Sequence, residues 1–183
     1  MGRSGEVVGA GRVQANPVTQ PPSGTVTFLL TDVEASTRTW ECDAALAAAA
    51  LRRQEEIITA AGTAHRGFQP VEQGEGDSVV AVFARASDAV AVALDAQLAL
   101  AREPWATRDP IRVRMALHTG EAEARGGRYA GPTIIRAARL RAAAHGGQTV
   151  VSRATAEVAG DDLAHGAFLV DLGTHRLRDL TRA

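Results

Sequence analysis

The sequence predicts an α+β sandwich built on a mostly antiparallel sheet. Helix-spaced and strand-like segments alternate along the chain from residue 24 onward. Glycine-rich joints, GEGD at 74–77 and RGGR at 125–128, lie between short strand-like segments and read as hairpin turns. The length of 183 residues suits one domain with a full core and would be cramped for two.

Taken in order, residues 1–23 are rich in Gly, Pro, Val and Gln without periodicity and read as a flexible leader. The folded domain is expected over 24–183. Residues 26–30 are apolar and β-branched, bounded by Gly24 and Asp32, and read as a buried strand. A helix begins at Ser36, and a longer alanine-rich helix follows through Leu46, Leu51, Ile57 and Ile58. Segments 68–72 and 79–83 are expected to pair as a hairpin around GEGD. Residues 87–102 carry Val90, Leu94, Leu98 and Ala101 at helical spacing. Residues 111–119, IRVRMALHT, alternate as a half-solvated strand does. A second hairpin turns at Gly126-Gly127. Pro132 opens a helix that runs to Ala144 and stops at Gly146-Gly147. A short strand at 148–152, a helix at 154–159 and a last strand at 168–172 complete the pattern.

Composition excludes several function classes. Formal net charge is −1, and the basic residues, all arginine, are spread along the chain and balanced by acids. That is not the one-sided basic surface of a nucleic-acid binder. Cys42 is the sole cysteine, so no intrachain disulfide and no cysteine metal cage can form, which fits a reducing cytoplasm. No apolar run approaches the roughly 18–20 residues of a membrane span, and a signal-peptide core is absent.

Chemistry concentrates at two acids. Asp32 ends the first strand, and Asp77 lies in the turn between two later ones. If those strands are neighbours, both carboxylates leave the same sheet edge and repel unless a cation lies between them. Hard oxygen ligands favour Mg²⁺ or Mn²⁺, ions that commonly hold phosphates. A helix starting near Ser36 would add free N–H groups and a positive dipole end. The plainer reading is that Asp32 caps a helix and Asp77 makes a turn, and spacing leaves both open.

The segments TFLLTDVEAST, EGDSVVAVF, IRVRMALHTGEAEARGGRYAGPTIIRAARL, GGQTVVS and DLGTHRLRDL, in that order over 25–180, resemble the catalytic domain of class III adenylate/guanylate cyclases of the actinobacterial type. The resemblance implies a ferredoxin-like two-layer sandwich with helices on one face. It also implies a head-to-tail homodimer whose active sites are built from both subunits. The implied activity is conversion of ATP or GTP to the 3′,5′-cyclic nucleotide and pyrophosphate, with a pair of Mg²⁺ or Mn²⁺ ions per site. Asp32 and Asp77 match the metal aspartates, and Val33 the position whose backbone carbonyl touches a metal. The backbone of Val33, Glu34, Ala35, Ser36 and Thr37 matches the phosphate-holding turn, with Ala35 where the family has glycine. Arg139 matches the arginine that offsets charge on the α-phosphate.

Three positions depart from the pattern. The ribose-orienting asparagine is Ile135, one turn before Arg139 and on the same helix face. The adenine-recognising lysine is Gln73, and its acidic partner is Arg128. An amide at Gln73 can still donate to and accept from a purine. A lost hydrogen bond to a polar or charged partner costs roughly 1.5–3 kcal/mol, a slowdown of roughly ten- to a hundredfold. The metal half of the site is therefore expected to be intact and the base-reading half eroded. The alternative is a degenerate cyclase domain that binds nucleotide, or only dimerises, within a signalling or transcriptional regulator. The resemblance extends that picture to downstream ATPase and helix-turn-helix regions of a longer protein. The chain ends before the final strand that the family carries after RLRDL.

The other candidates are bland. His118 reads as structural or as lining the site, and His65, His145, His165 and His175 lack zinc spacing. Gly74 and Gly76 resemble a phosphate loop without its lysine. Trp40 and Trp105 read as core or interface residues.

Overall fold

The computed structural model describes residues 20–70, 76–160, 162–163 and 166–177. Most of the expected leader, and Gln73 with its neighbours at 71–75, lie outside the described residues.

Strand β1 (Gly24–Val33) sits inside a four-stranded sheet of order β2-β1-β3-β6, with β2 (Val80–Phe83), β3 (Val113–Ala122) and β6 (Thr149–Val151). β1 pairs antiparallel with β2 and, over its full length, with β3, from Gly24↔Ala122 to Val33↔Val113. β6 joins β3 in parallel. The expected mostly antiparallel α+β sheet is present.

Both side-chain rows of β1 carry buried apolar residues, so both of its faces are covered. Leu29 and Val33 pack with Met115 and Leu117 against helices α2 (Ala44–Ala64), α3 (Ala86–Arg102) and α5 (Arg153–Ala159). Val26, Phe28 and Leu30 point the other way, onto Tyr129 and onto Ala137 of helix α4 (Pro132–Ala142). The expected helix layer thus holds one face, and among the described residues α4 is the helix that crosses the other. β3 is correspondingly not half-solvated: it lies between β1 and β6, and Val113, Met115, Ala116 and Leu117 are buried.

Local chemistry sets the element ends. The Asp43 side chain accepts the N–H groups of Ala45 and Leu46 at 2.9 Å each and so caps α2, which separates it from α1 (Ser36–Cys42). Pro132 occupies the first turn of α4, and Ser152 caps α5. The hairpin of β4 (Ala124–Arg125) and β5 (Arg128–Tyr129) turns at Gly126 and Gly127, both with positive φ, as a two-residue turn of this hand requires.

Two further expectations need correction. Phe68 meets Val82 through a pair of backbone hydrogen bonds of 2.9 and 2.8 Å, and among the described residues this is an isolated bridge, residues 71–72 of the expected strand lying outside them. Residues 168–172 form no strand. Among the described residues no strand supplies a ladder partner for them, and Phe168 remains 80% exposed. Among the described residues, no helix is long and apolar enough to cross a membrane.

Candidate functional site

The C-terminal end of β1 gathers the titratable side chains. Asp32 enters the sheet opposite Arg114 in the β1–β3 register. The Arg114 guanidinium grips its carboxylate with both arms: Nε donates to Oδ1 at 2.8 Å and Nη2 to Oδ2 at 2.7 Å. A second arginine approaches from α4. Arg141 Nη1 donates to the Thr31 carbonyl at 3.2 Å and to Ser78 Oγ at 3.0 Å, and its Nε lies 3.6 Å from Asp32 Oδ2. That Nε is buried and has no hydrogen-bond partner.

Asp77 reaches the same strand end. Its Oδ2 accepts the Val33 N–H at 3.2 Å, and the Thr31 N–H donates to the Val79 carbonyl at 2.9 Å two residues further on. The acids on β1 and on the following turn, widely separated in sequence, therefore converge on Val33. Among the described residues, no three His, Cys, Asp or Glu side chains are grouped to cage a cation. The donor set is two carboxylates beside the Val33 backbone, one of them already paired with Arg114. That chemistry suits a hard ion such as Mg²⁺, which keeps several waters and takes only one or two carboxylates.

The turn after Asp32 is shaped by Ala35, which adopts φ 56° and ψ 33°, the left-handed region that favours glycine. Ala35 begins α1 without a side-chain cap, and its carbonyl accepts the N–H of Arg38 at 3.0 Å. Ser36 and Thr37 form the first turn of this helix. Glu34 is committed elsewhere: its Oε1 accepts the Gly146 N–H at 2.9 Å. A Cβ at Gly146 would come within 2.7 Å of both Arg112 Cβ and Glu34 Cδ, so only glycine fits there. A cleft of about 680 Å³ opens beside this turn, lined by Glu34, Ala35, Arg38, Arg108 and Arg112 among others.

The remaining expected site residues fall on other surfaces. Ile135 is 51% exposed. Thr133 and Ala137 form the buried side of α4, where Arg141 also points inward. Arg139 is half-buried, and being two positions from Arg141 it leaves the helix in a different direction. Arg128 is exposed on the hairpin arm β5. One chain thus brings together Asp32, Val33, Glu34 and Asp77, while Ile135 projects outward. His118 Nδ1 lies 3.0 Å from Ser152 Oγ, and burial followed by the charge of Arg136 pushes the His118 pKa below its ordinary value. Trp105 packs against the core and donates to the Leu100 carbonyl, whereas Trp40 is largely exposed.

Sequence reasoning missed Arg114 and Arg141. The alternation of IRVRMALHT placed Arg114 on one face of a strand, but only the pairing register sets it opposite Asp32.

No family model matches the chain. An uncharacterized protein of Mycobacterium tuberculosis is 51% identical over 162 residues, which cover 88% of this chain and 54% of that protein. The chain thus spans about half the length of the curated relatives it matches. Among solved structures, an adenylate cyclase from Trypanosoma brucei superposes with a TM-score of 0.80 at 23% identity, covering 91% of this chain and 90% of that one. An adenylate/guanylate cyclase/hydrolase from Silicibacter pomeroyi superposes with a TM-score of 0.71 at 27% identity over 88% of this chain and 94% of that one. The chain has the fold of class III adenylate/guanylate cyclase catalytic domains. The end of β1 that carries Asp32 is also where the four-stranded sheet receives α4 through Arg141.

Proposed function

We propose that the domain is a metal-dependent nucleotidyl cyclase that converts ATP or GTP to the 3′,5′-cyclic nucleotide and pyrophosphate, working as a head-to-tail homodimer with low turnover. The observation that carries this reading is the convergence of Asp32 and Asp77 on Val33, with Asp77 Oδ2 holding the Val33 N–H. Divalent cations held by Asp32, Asp77 and the Val33 carbonyl would supply activation of the ribose 3′-oxygen and charge balance for the leaving pyrophosphate. The backbone of Val33 to Thr37 orients the phosphates beside that strand end. Arg139 of one subunit serves the partner's site, where its guanidinium offsets charge developing at the α-phosphate. The outward projection of Ile135 on α4 supports a site completed by a second chain.

Ile135 also sets the expected rate. Isoleucine leaves the ribose without its orienting hydrogen bond, and neither Gln73 nor Arg128 can form the Lys–Asp pair that reads adenine. A second reading follows from the same residue: a domain that binds nucleotide, or only dimerises, and regulates the rest of a longer protein.

The deciding experiment is cyclic AMP and cyclic GMP production with Mn²⁺ at high protein concentration, for the parent chain, Asp32→Ala and Ile135→Asn. The cyclase reading expects product that disappears in Asp32→Ala and rises by roughly ten- to a hundredfold in Ile135→Asn, the value of one hydrogen bond to a polar partner. Folded dimers that yield no product in any variant would establish the regulatory reading instead.

A further inference from the structure

Helix α4 carries two rows of side chains that leave it in nearly opposite directions. Thr133, Ala137 and Arg141 recur at i, i+4 spacing and turn onto the chain's own sheet, Thr133 and Ala137 buried and the Arg141 side chain 23% exposed. Ile135 and Arg139 form the other row, displaced by two positions and so by about 200° around the helix. The direction in which Arg139 points is therefore set by how the inner row seats on the sheet.

Polar groups tie both ends of α4 down. At the N-terminal turn, Thr133 Oγ1 donates to the Glu121 carbonyl at 2.6 Å. At the C-terminal turn, Arg141 Nη1 donates to the Thr31 carbonyl at 3.2 Å and to Ser78 Oγ at 3.0 Å. Those acceptors belong to the chain neighbours of Asp32 and Asp77. Arg141 Nε, buried and without a hydrogen-bond partner, adds an ion-pair contact to Asp32 Oδ2 at 3.6 Å.

The strand end does not need this guanidinium. The Thr31 N–H donates to the Val79 carbonyl at 2.9 Å, the Val79 N–H to Thr31 Oγ1 at 3.1 Å, and the Val33 N–H to Asp77 Oδ2 at 3.2 Å. β1 is also paired with β3 along its full length. Loss of Arg141 leaves all of these bonds in place and takes from α4 its charged tie, so the element that shifts is the helix. A displacement of about 1 Å at a reacting group can cost about a hundredfold in rate.

We propose that Arg141 is a positioning residue: it anchors α4 to the strand end that bears its own chain's Asp32, and so aims Arg139 into the partner's site. This rests on the reading of Arg139 as a residue acting across the dimer, and two measurements separate the anchor from that reading. The anchor is read without catalysis, by hydrogen exchange of the parent chain, Arg141→Lys and Ser78→Ala. Arg141→Lys keeps the charge and loses the fork, and Ser78→Ala leaves every charge in place. Amide exchange over residues 138–142 should accelerate about ten- to a hundredfold in Arg141→Lys, the value of a hydrogen bond to a charged group, and by less in Ser78→Ala. Exchange over residues 24–33 should stay as in the parent. Acceleration in both segments, or in neither, would overturn the anchor.

The aim is read by mixing chains, with Arg141→Gln, or Arg141→Lys where the former does not fold. Arg141→Gln mixed with Asp32→Ala should regenerate about a quarter of the parent rate, because half the dimers are mixed and each keeps one site with sound aspartates and a seated Arg139. Mixed with Arg139→Ala, the same chain should regenerate none. By itself it should lose about ten- to a hundredfold in kcat with little change in KM, since Arg139 acts on charge that develops in the transition state. The reverse mixing pattern would overturn the proposal by placing Arg141 with the aspartates, and recovery with neither partner would reduce it to a contact of the fold. A parent chain that yields no product would overturn the cyclase reading and the aiming of Arg139 with it, whatever the exchange pattern.

Discussion

At the scale of single residues, two positions carry measurable consequences. Ala35 holds a left-handed backbone, φ 56°, that costs an L-residue roughly 1–2 kcal/mol. Ala35→Gly should therefore stabilise the domain by about 0.5–1 kcal/mol, the relief being partly offset by the greater freedom of glycine in the unfolded chain. Urea denaturation checks this, and a loss of stability would mean that the Ala35 methyl contributes packing worth more than the strain. His118 offers a pH signature. Burial first, and the Arg136 charge second, depress its folded-state pKa below the ordinary 6.5. Unfolding then takes up a proton between the two values, so this contribution is complete above pH 6.5 and is lost as pH falls from there towards the folded-state pKa. His118→Asn can keep a polar atom near Ser152 without titrating. It should flatten the stability profile below pH 6.5, and an unchanged slope in thermal melts would assign the acid sensitivity to other groups.

At the scale of elements, the seating of α4 on the sheet positions Arg141 at Asp32. Gly120 of β3 is what permits the close approach, since a Cβ there would lie 2.9 Å from Thr133 Cγ2 and 3.1 Å from Thr133 Oγ1. Thr133 is itself anchored, because its Oγ1 donates to the Glu121 carbonyl at 2.6 Å. Gly120→Ala should destabilise by about 1–3 kcal/mol, as overpacking of a filled contact does. Adding Thr133→Ser removes the clashing methyl and keeps the hydroxyl, so the double variant should recover part of that loss in denaturant unfolding. Additive losses would show that the two side chains do not meet. Tyr129 fastens the opposite margin of α4's core. It stacks edge-on against Phe28 at 5.3 Å, and its hydroxyl donates to the Pro22 carbonyl at 2.6 Å. Burial pushes its pKa up to about 12, so it stays a donor at physiological pH. Tyr129→Phe should cost about 1 kcal/mol, the net value of one hydrogen bond, as read by thermal unfolding.

At the scale of the whole molecule, the proposed site needs two chains: Asp32 and Asp77 from one and Arg139 from the other. A closed two-fold pair then contains two such sites. Mixing Asp32→Ala with Arg139→Ala chains should regenerate activity, since each mixed dimer holds one intact site. Random assortment makes half the dimers mixed, so about a quarter of the parent rate is expected. Recovery of none, from variants that are folded and dimeric by sedimentation, would place both residues in the same chain's site.

Much of the fold was legible because hydrophobic periodicity is local. The buried run ending at Asp32, the helix spacing of residues 87–102 and the Gly126-Gly127 turn each report on a few neighbouring residues, and each appears as expected. The segment at 168–172 shows the limit: its apolar residues suit a strand, but a strand exists only when another supplies hydrogen bonds, and none among the described residues does. The candidate site divides in the same way. Asp32 and Asp77 stand out in the sequence as acids at strand ends, and the motif around them names a chemistry. Their company does not stand out. That Arg114 faces Asp32 depends on the register of β1 against β3, and that Arg141 reaches Asp32 depends on how α4 lies on the sheet. Register and helix seating are settled by packing between segments far apart in the chain, so the charges that surround Asp32 were decided only by the tertiary structure.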